Sequence, residues 1–124
     1  MKHVDKPWGS FDRYTLNEPS TVKILTIKPG ATTSLQSHKR RREFWVALDK
    51  GIQIQIGDKE IPFRKGSSII VEKGKRHRIR CDSKSDARIL EISFGHFSEN
   101  DIVRYDDEYG RVNSTASLKF LRSK

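Results

Sequence analysis

The sequence predicts an all-β domain, a sandwich or barrel, on three observations. Short runs of alternating apolar and polar residues recur along the chain, turn residues separate them, and no amphipathic helical pattern of useful length interrupts the series. The clearest run is Ile52-Gln53-Ile54-Gln55-Ile56, a strict period of two.

Taken in order, residues 22–28 form the first predicted strand, closed by Pro29-Gly30. Residues 43–48 form the next, and Asp49-Lys50-Gly51 turns the chain into 52–56. Gly57-Asp58-Lys59 leads into 60–63, and Lys65-Gly66 and Lys73-Gly74 bracket a strand over 68–72. Residues 76–81 and 87–94 complete the series. The expected organisation is one domain over residues 1–112 with a polar, basic tail at 113–124, where 118–124 could form a short helical turn.

A chain of 124 residues is long enough to bury one apolar core. No apolar run approaches the roughly 18 residues that a membrane span requires. Residues 1–8 lack the apolar stretch of a secretory signal. Cys81 is alone and cannot form an internal disulfide, so a reducing, cytoplasmic setting is expected. The net charge of +9 raises nucleic-acid binding as a possibility. The acidic residues are spread along the chain without an aromatic–basic RNA-binding signature, so a small phosphorylated molecule ranks ahead of nucleic acid.

Residues two apart in a strand face the same way. An extended stretch projects Gln36 and His38 to one side, and Glu43, Trp45 and Ala47 share a face. His77, Ile79 and Cys81 share another, opposite a solvated row of Arg76, Arg78 and Arg80. An amide oxygen, two imidazoles and a carboxylate suit a borderline divalent cation, Zn first, then Mn, Co, Fe or Ni. Taken singly, His77 reads as a hydrogen-bonded core residue and Glu43 as a partner for Arg40 or Arg41. The shared parity of Gln36, His38, Glu43 and His77 favours the metal site. The basic run from Lys39 to Arg42 is either a solvated turn or, in part, a phosphate contact. Trp8 and Trp45 read as core or rim packing, with Trp45 placed to wall the pocket beside Glu43.

These residues carry a resemblance to the cupins. Gly30, Gln36, His38, Glu43 and Gly51 follow the first cupin motif, with Gln36 in place of its first histidine and Gly51 one residue late. Gly66, Gly74 and His77 follow the second, with Glu72 replacing a proline and Cys81 an asparagine. Lys6-Pro7-Trp8-Gly9-Ser10-Phe11, Lys28-Pro29-Gly30, Ser34-Leu35-Gln36, Glu43-Phe44-Trp45 and the segment 101–111 resemble the type II phosphomannose isomerase domain. That resemblance implies a cupin-type double-stranded β-helix, a jelly-roll barrel. It also implies a homodimer and a metal-dependent interconversion of mannose 6-phosphate and fructose 6-phosphate through an enediol. It makes Arg41, with Lys39 beside it, the candidate catalytic cation, and Arg104 and Arg111 candidate substrate contacts. The general base stays open between Glu91, His96 and a metal-bound hydroxide.

The family carries three consecutive histidines and another after the glutamate, where this chain has His38-Lys39-Arg40 and Phe44. These losses define a second expectation, a metal-containing cupin that binds a sugar phosphate without turning it over. Metal-dependent oxygenase chemistry ranks third. No nucleotidyltransferase domain is evident, so guanylyl transfer is not expected of this chain.

Overall fold

A computed structural model describes residues 2–106. Among them are eleven strands and no helix. They are β1 (Lys2–Lys6), β2 (Gly9–Arg13), β3 (Ser20–Ile27), β4 (Leu35–Ser37), β5 (Arg42–Ala47), β6 (Ile52–Ile56), β7 (Lys59–Phe63), β8 (Ser68–Val71), β9 (His77–Cys81), β10 (Ala87–Phe94) and β11 (Val103–Asp106). No helix in these residues is long and apolar enough to cross a membrane.

The strands form a β1-β2 hairpin, a four-stranded sheet ordered β3-β10-β5-β8 and a five-stranded sheet ordered β11-β4-β9-β6-β7. Every pairing is antiparallel. Sequence neighbours are repeatedly separated in the sheets, the arrangement of a jelly roll rather than a meander.

The core lies between the two larger sheets. Trp45, Ala47, Val71 and Ile89 come from one, and Ile52, Ile54, Phe63, Ile79 and Cys81 from the other. Burying each large apolar side chain contributes about 1.5–3 kcal/mol. Period-two alternation explains the selection: β5 buries Glu43, Trp45 and Ala47 while Phe44 and Val46 face outward, and β9 buries His77, Ile79 and Cys81. The outward row is itself apolar in places, with the Phe44 and Tyr14 rings tilted against each other at 4.9 Å and Val22 and Ile24 exposed on the edge strand β3.

Strands β6 and β10 match the ranges expected from sequence, and β3, β5, β7, β8 and β9 differ by one or two residues at their ends. The β1-β2 hairpin, β4 and β11 are not among the strands expected from sequence. Each hairpin strand holds one apolar residue, Val4 or Phe11, among charged and small ones, so no alternation announces it. Arg111, the tail at 113–124 and the helical turn at 118–124 lie outside the described residues.

Gly51 is required by its turn. Its φ is +85°, and a Cβ there would lie 2.5 Å from the Cβ of Ser83. Its carbonyl accepts the Asp82 amide at 2.7 Å, tying the β5–β6 connection to the end of β9.

Candidate metal centre

A cavity of about 450 Å³ opens between the two larger sheets, and Gln36, His38, Glu43 and His77 all line it. Glu43 comes from the four-stranded sheet, where it pairs with Ser93 and Val71. Gln36 and His77 come from the five-stranded sheet, paired directly with each other across β4 and β9. His38 follows β4 immediately. Glu43 and His77 meet because β5 and β9 turn their inward faces toward one another, and His38 joins them from the end of β4; Gln36 lines the same cavity, with its amide nitrogen 3.5 Å from the Ser34 carbonyl.

Both imidazoles are held in one orientation. His38 Nδ1 donates to the Asp101 carbonyl at 2.6 Å, and His77 Nδ1 donates to the Lys75 carbonyl at 2.9 Å. A carbonyl can only accept, so each neutral ring carries its proton on Nδ1 and presents the Nε2 lone pair inward. Those Nε2 atoms lie 3.7 Å from Glu43 Oε2 (His38) and 3.7 Å from Glu43 Oε1 (His77). Burial lowers the pKa of both histidines, that of His77 to about 4, despite the opposing charge of Glu43.

Glu43 is only 2% exposed. Burial opposes its ionisation, yet a hydrogen bond from Glu91, the two imidazoles and Arg41 hold its pKa down to about 2. Arg41 Nε donates to Oε2 at 3.0 Å and Trp45 Nε1 donates to Oε1 at 3.1 Å. Glu91 answers in the opposite direction: burial, the hydrogen bond to Glu43 and the Glu43 charge push its pKa up to about 8. Burial and the neighbouring Glu43 charge therefore both favour the neutral form of Glu91.

The donor set fits a divalent cation. His38, Glu43 and His77 offer ligand atoms within 4.8 Å of one another, all three residues being buried. Ligand distances of about 2.0–2.1 Å place neighbouring tetrahedral donors roughly 3.3 Å apart. The 3.7 Å separations are a few tenths of an ångström wider and too long for hydrogen bonds. Backbone carbonyls behind both Nδ1 atoms supply the outer contacts that orient metal-binding imidazoles. Cys81 is buried in the core, with its Sγ 3.4 Å from the Ser85 carbonyl, and does not line the cavity.

The other sequence candidates separate clearly. Trp45 lines the cavity but is 1% exposed, its ring nearly perpendicular to that of His77 with centroids 5.3 Å apart. Arg104 lines the cavity and pairs with Gln36 across β11 and β4. Arg41 is buried within the site rather than solvated. Lys39 is not brought to it: it is exposed and borders a separate hollow with Arg40, Ser98, Asn100 and Asp101. His96 is exposed outside the cavity, whereas Glu91 faces inward.

Sequence reasoning missed Asp101. Its carboxylate accepts the Lys39 and Arg40 amides at 2.8 and 2.9 Å while its carbonyl orients His38. The basic run 39–42 was a weak cue that an acid would fold back on it.

The family model described as "Mannose-6-phosphate isomerase C-terminal" matches residues 1–107. Among curated relatives, xanthan biosynthesis protein XanB of Xanthomonas campestris pv. campestris (strain B100) is 34% identical over 112 residues, 90% of this chain and 24% of that protein. Alginate biosynthesis protein AlgA of Pseudomonas aeruginosa is 34% identical over 91% of this chain and 24% of its own length. Mannose-1-phosphate guanylyltransferase ManC of Salmonella typhimurium is 32% identical over 90% and 23%. A cupin protein from Bacteroides fragilis superposes with a TM-score of 0.58 at 24% identity, covering 67% of this chain and 70% of that one. A Klebsiella pneumoniae protein with a double-stranded β-helix domain gives 0.59 at 13% identity, covering 72% and 76%.

These relatives correct the expected isomerase activity. The chain spans about a quarter of the curated proteins it matches, and the activity named among these three is guanylyl transfer, not isomerisation. The jelly-roll sheets, the cavity between them and the match over residues 1–107 together make the chain a cupin belonging to the mannose-6-phosphate isomerase C-terminal family.

Proposed function

We propose that this chain is a metal-holding cupin module that binds a sugar phosphate without isomerising it. The observation that carries the reading is the pairing of a His38–Glu43–His77 cluster with the Arg41 guanidinium in one cavity of about 450 Å³. Gln36, His38, Glu43 and His77 would hold the cation. Bound there, it supplies a Lewis-acid anchor for hydroxyl or carbonyl oxygens of the ligand.

The protein's own groups do the rest. Lys23, Lys28, Arg41 and Arg104 line the same cavity and present positive charge to a phosphate. Trp45 fixes Glu43 and walls the pocket. Glu91 lines the cavity beside Glu43. At the family's additional histidine positions the chain has Lys39 and Arg40, which are exposed, and Phe44, which faces outward.

The reading includes a reducing cytoplasmic setting, compatible with the lone buried Cys81 thiol. It also includes a homodimer through the outer apolar side of the four-stranded sheet, where Val22 and Ile24 are 62% and 58% exposed. Sedimentation equilibrium would return twice the chain mass if that interface forms.

The deciding experiment titrates mannose 6-phosphate into zinc-, manganese- and cobalt-loaded protein by calorimetry while assaying fructose 6-phosphate. Saturable binding with no product over hours supports the module. Metal-dependent turnover, or no binding of any sugar phosphate tested, defeats it.

A further inference from the structure

The guanidinium of Arg41 occupies the donor atoms that a cation would need. Arg41 is 7% exposed. Its Nε donates to Glu43 Oε2 at 3.0 Å, its Nη2 reaches His38 Nε2 at 3.2 Å and its Nη1 donates to the Ser98 carbonyl at 3.2 Å. Its central carbon lies 4.3 Å from the centroid of the Phe97 ring.

The His38 contact creates an exclusive choice. The Asp101 carbonyl fixes the His38 proton on Nδ1, so Nε2 has a single lone pair. That lone pair can accept the Arg41 N–H or ligate a cation, but it cannot do both. The Arg41 charge beside Glu43 Oε2 adds repulsion against any second cation at the same oxygen.

We propose that Arg41 is an internal counter-cation, seated on Glu43 and His38 in the metal-free protein and displaced by metal to become an anion-binding group in the cavity. The inference rests on the metal-site reading above. Phe97 and Ser98 make contacts that Arg41 can keep while its inner N–H groups turn away from Glu43 and His38. In the metal-free site, Arg41 balances the Glu43 charge at 3.0 Å. After metal loading, the same groups carry an excess of positive charge that a phosphate dianion can neutralise. Metal and phosphate would then bind with positive coupling, and such linkages are typically about 5–150-fold.

The test compares zinc affinity, measured against a competing chelator, in wild type, Arg41→Lys and Arg41→Met, with near-ultraviolet circular dichroism as the folding control. Competition predicts zinc binding roughly tenfold or more tighter in Arg41→Met, within the usual range of such couplings. Arg41→Lys should lie between the two because an ammonium cannot span both acceptors.

Wild-type protein supplies a readout that needs no variant. The Arg41 15Nε–1H resonance, hydrogen-bonded to Glu43 in the metal-free state, should move on zinc addition and move again with inorganic phosphate. Equal or weaker zinc binding by folded Arg41→Met overturns the proposal and leaves the metal site standing. An Arg41 resonance unmoved while wild type takes up zinc does the same. Failure of both wild type and Arg41→Met to bind zinc, manganese or cobalt removes the metal-site reading and this inference together.

Discussion

The Glu91 carboxyl is hydrogen-bonded to the Glu43 carboxylate inside the barrel; burial and that bond push the Glu91 pKa up to about 8, while the same bond, the two imidazoles and Arg41 hold Glu43 at about 2 against its own burial. Such pairs arise when two acids share a site that can carry only one negative charge cheaply. The cross-strand register produces it. Glu43 faces Ser93 and Glu91 faces Trp45 on adjacent antiparallel strands, which leaves the two glutamates diagonal neighbours on the inner face.

Glu91 should make the metal-free protein less stable toward alkaline pH. Its folded pKa is raised, so the stability it contributes is complete below its ordinary value of 4.5 and is lost as pH rises through about 8. Urea unfolding of wild type should therefore show lower stability at pH 8 than at pH 6.5. Glu91→Gln retains a donor for Glu43 and should abolish that difference; an unchanged slope in the variant would refute the assignment.

The histidines act in the opposite direction. Burial lowers the pKa of His38 and His77, so the unfolded chain binds more protons and stability falls as pH drops from 6.5 through about 4. Bound metal should be released toward the low end of the same window. Zinc content after dialysis at a series of pH values would show this, and His77→Gln should reduce the acid-side slope for the metal-free protein.

Trp45→Phe keeps an aromatic ring in the core but removes the indole N–H that reaches Glu43 Oε1 at 3.1 Å. Losing a hydrogen bond to a buried ionised group should cost about 1.5–3 kcal/mol. Denaturant midpoints would measure it, and an effect below about 0.5 kcal/mol would mean that another donor replaces the indole.

Asp101→Ala frees the Lys39 and Arg40 amides and loosens the chain whose carbonyl holds His38. Outer contacts of this kind change metal affinity by about 10–100-fold. Calorimetric zinc titration should show a loss of that order with the β-sheet circular dichroism intact.

Gly51→Ala should destabilise the fold by more than about 1 kcal/mol. The residue sits at φ +85°, and the new methyl would meet Ser83 at 2.5 Å. Per folded molecule, zinc stoichiometry should remain that of wild type, since Gly51 does not line the cavity.

The sequence by itself determined the fold class, most strand positions and the inward parity of Glu43, Trp45 and His77. Alternation is a local property: a strand with one buried face must place apolar residues at every second position, and β5, β6, β9 and β10 do so legibly. Tertiary structure decided the site's electrostatics. The spacing of Lys39 and Arg41 could not say which would be buried. That depends on Asp101, distant in sequence, binding the amides of 39 and 40 while Arg41 turns inward to Glu43 and Ser98. The orientation of Glu91 was likewise open until β10 paired with β5 and set it beside Glu43. Strand periodicity is written residue by residue, but a buried charge takes its partners from segments that only the folded sheets bring within a few ångströms.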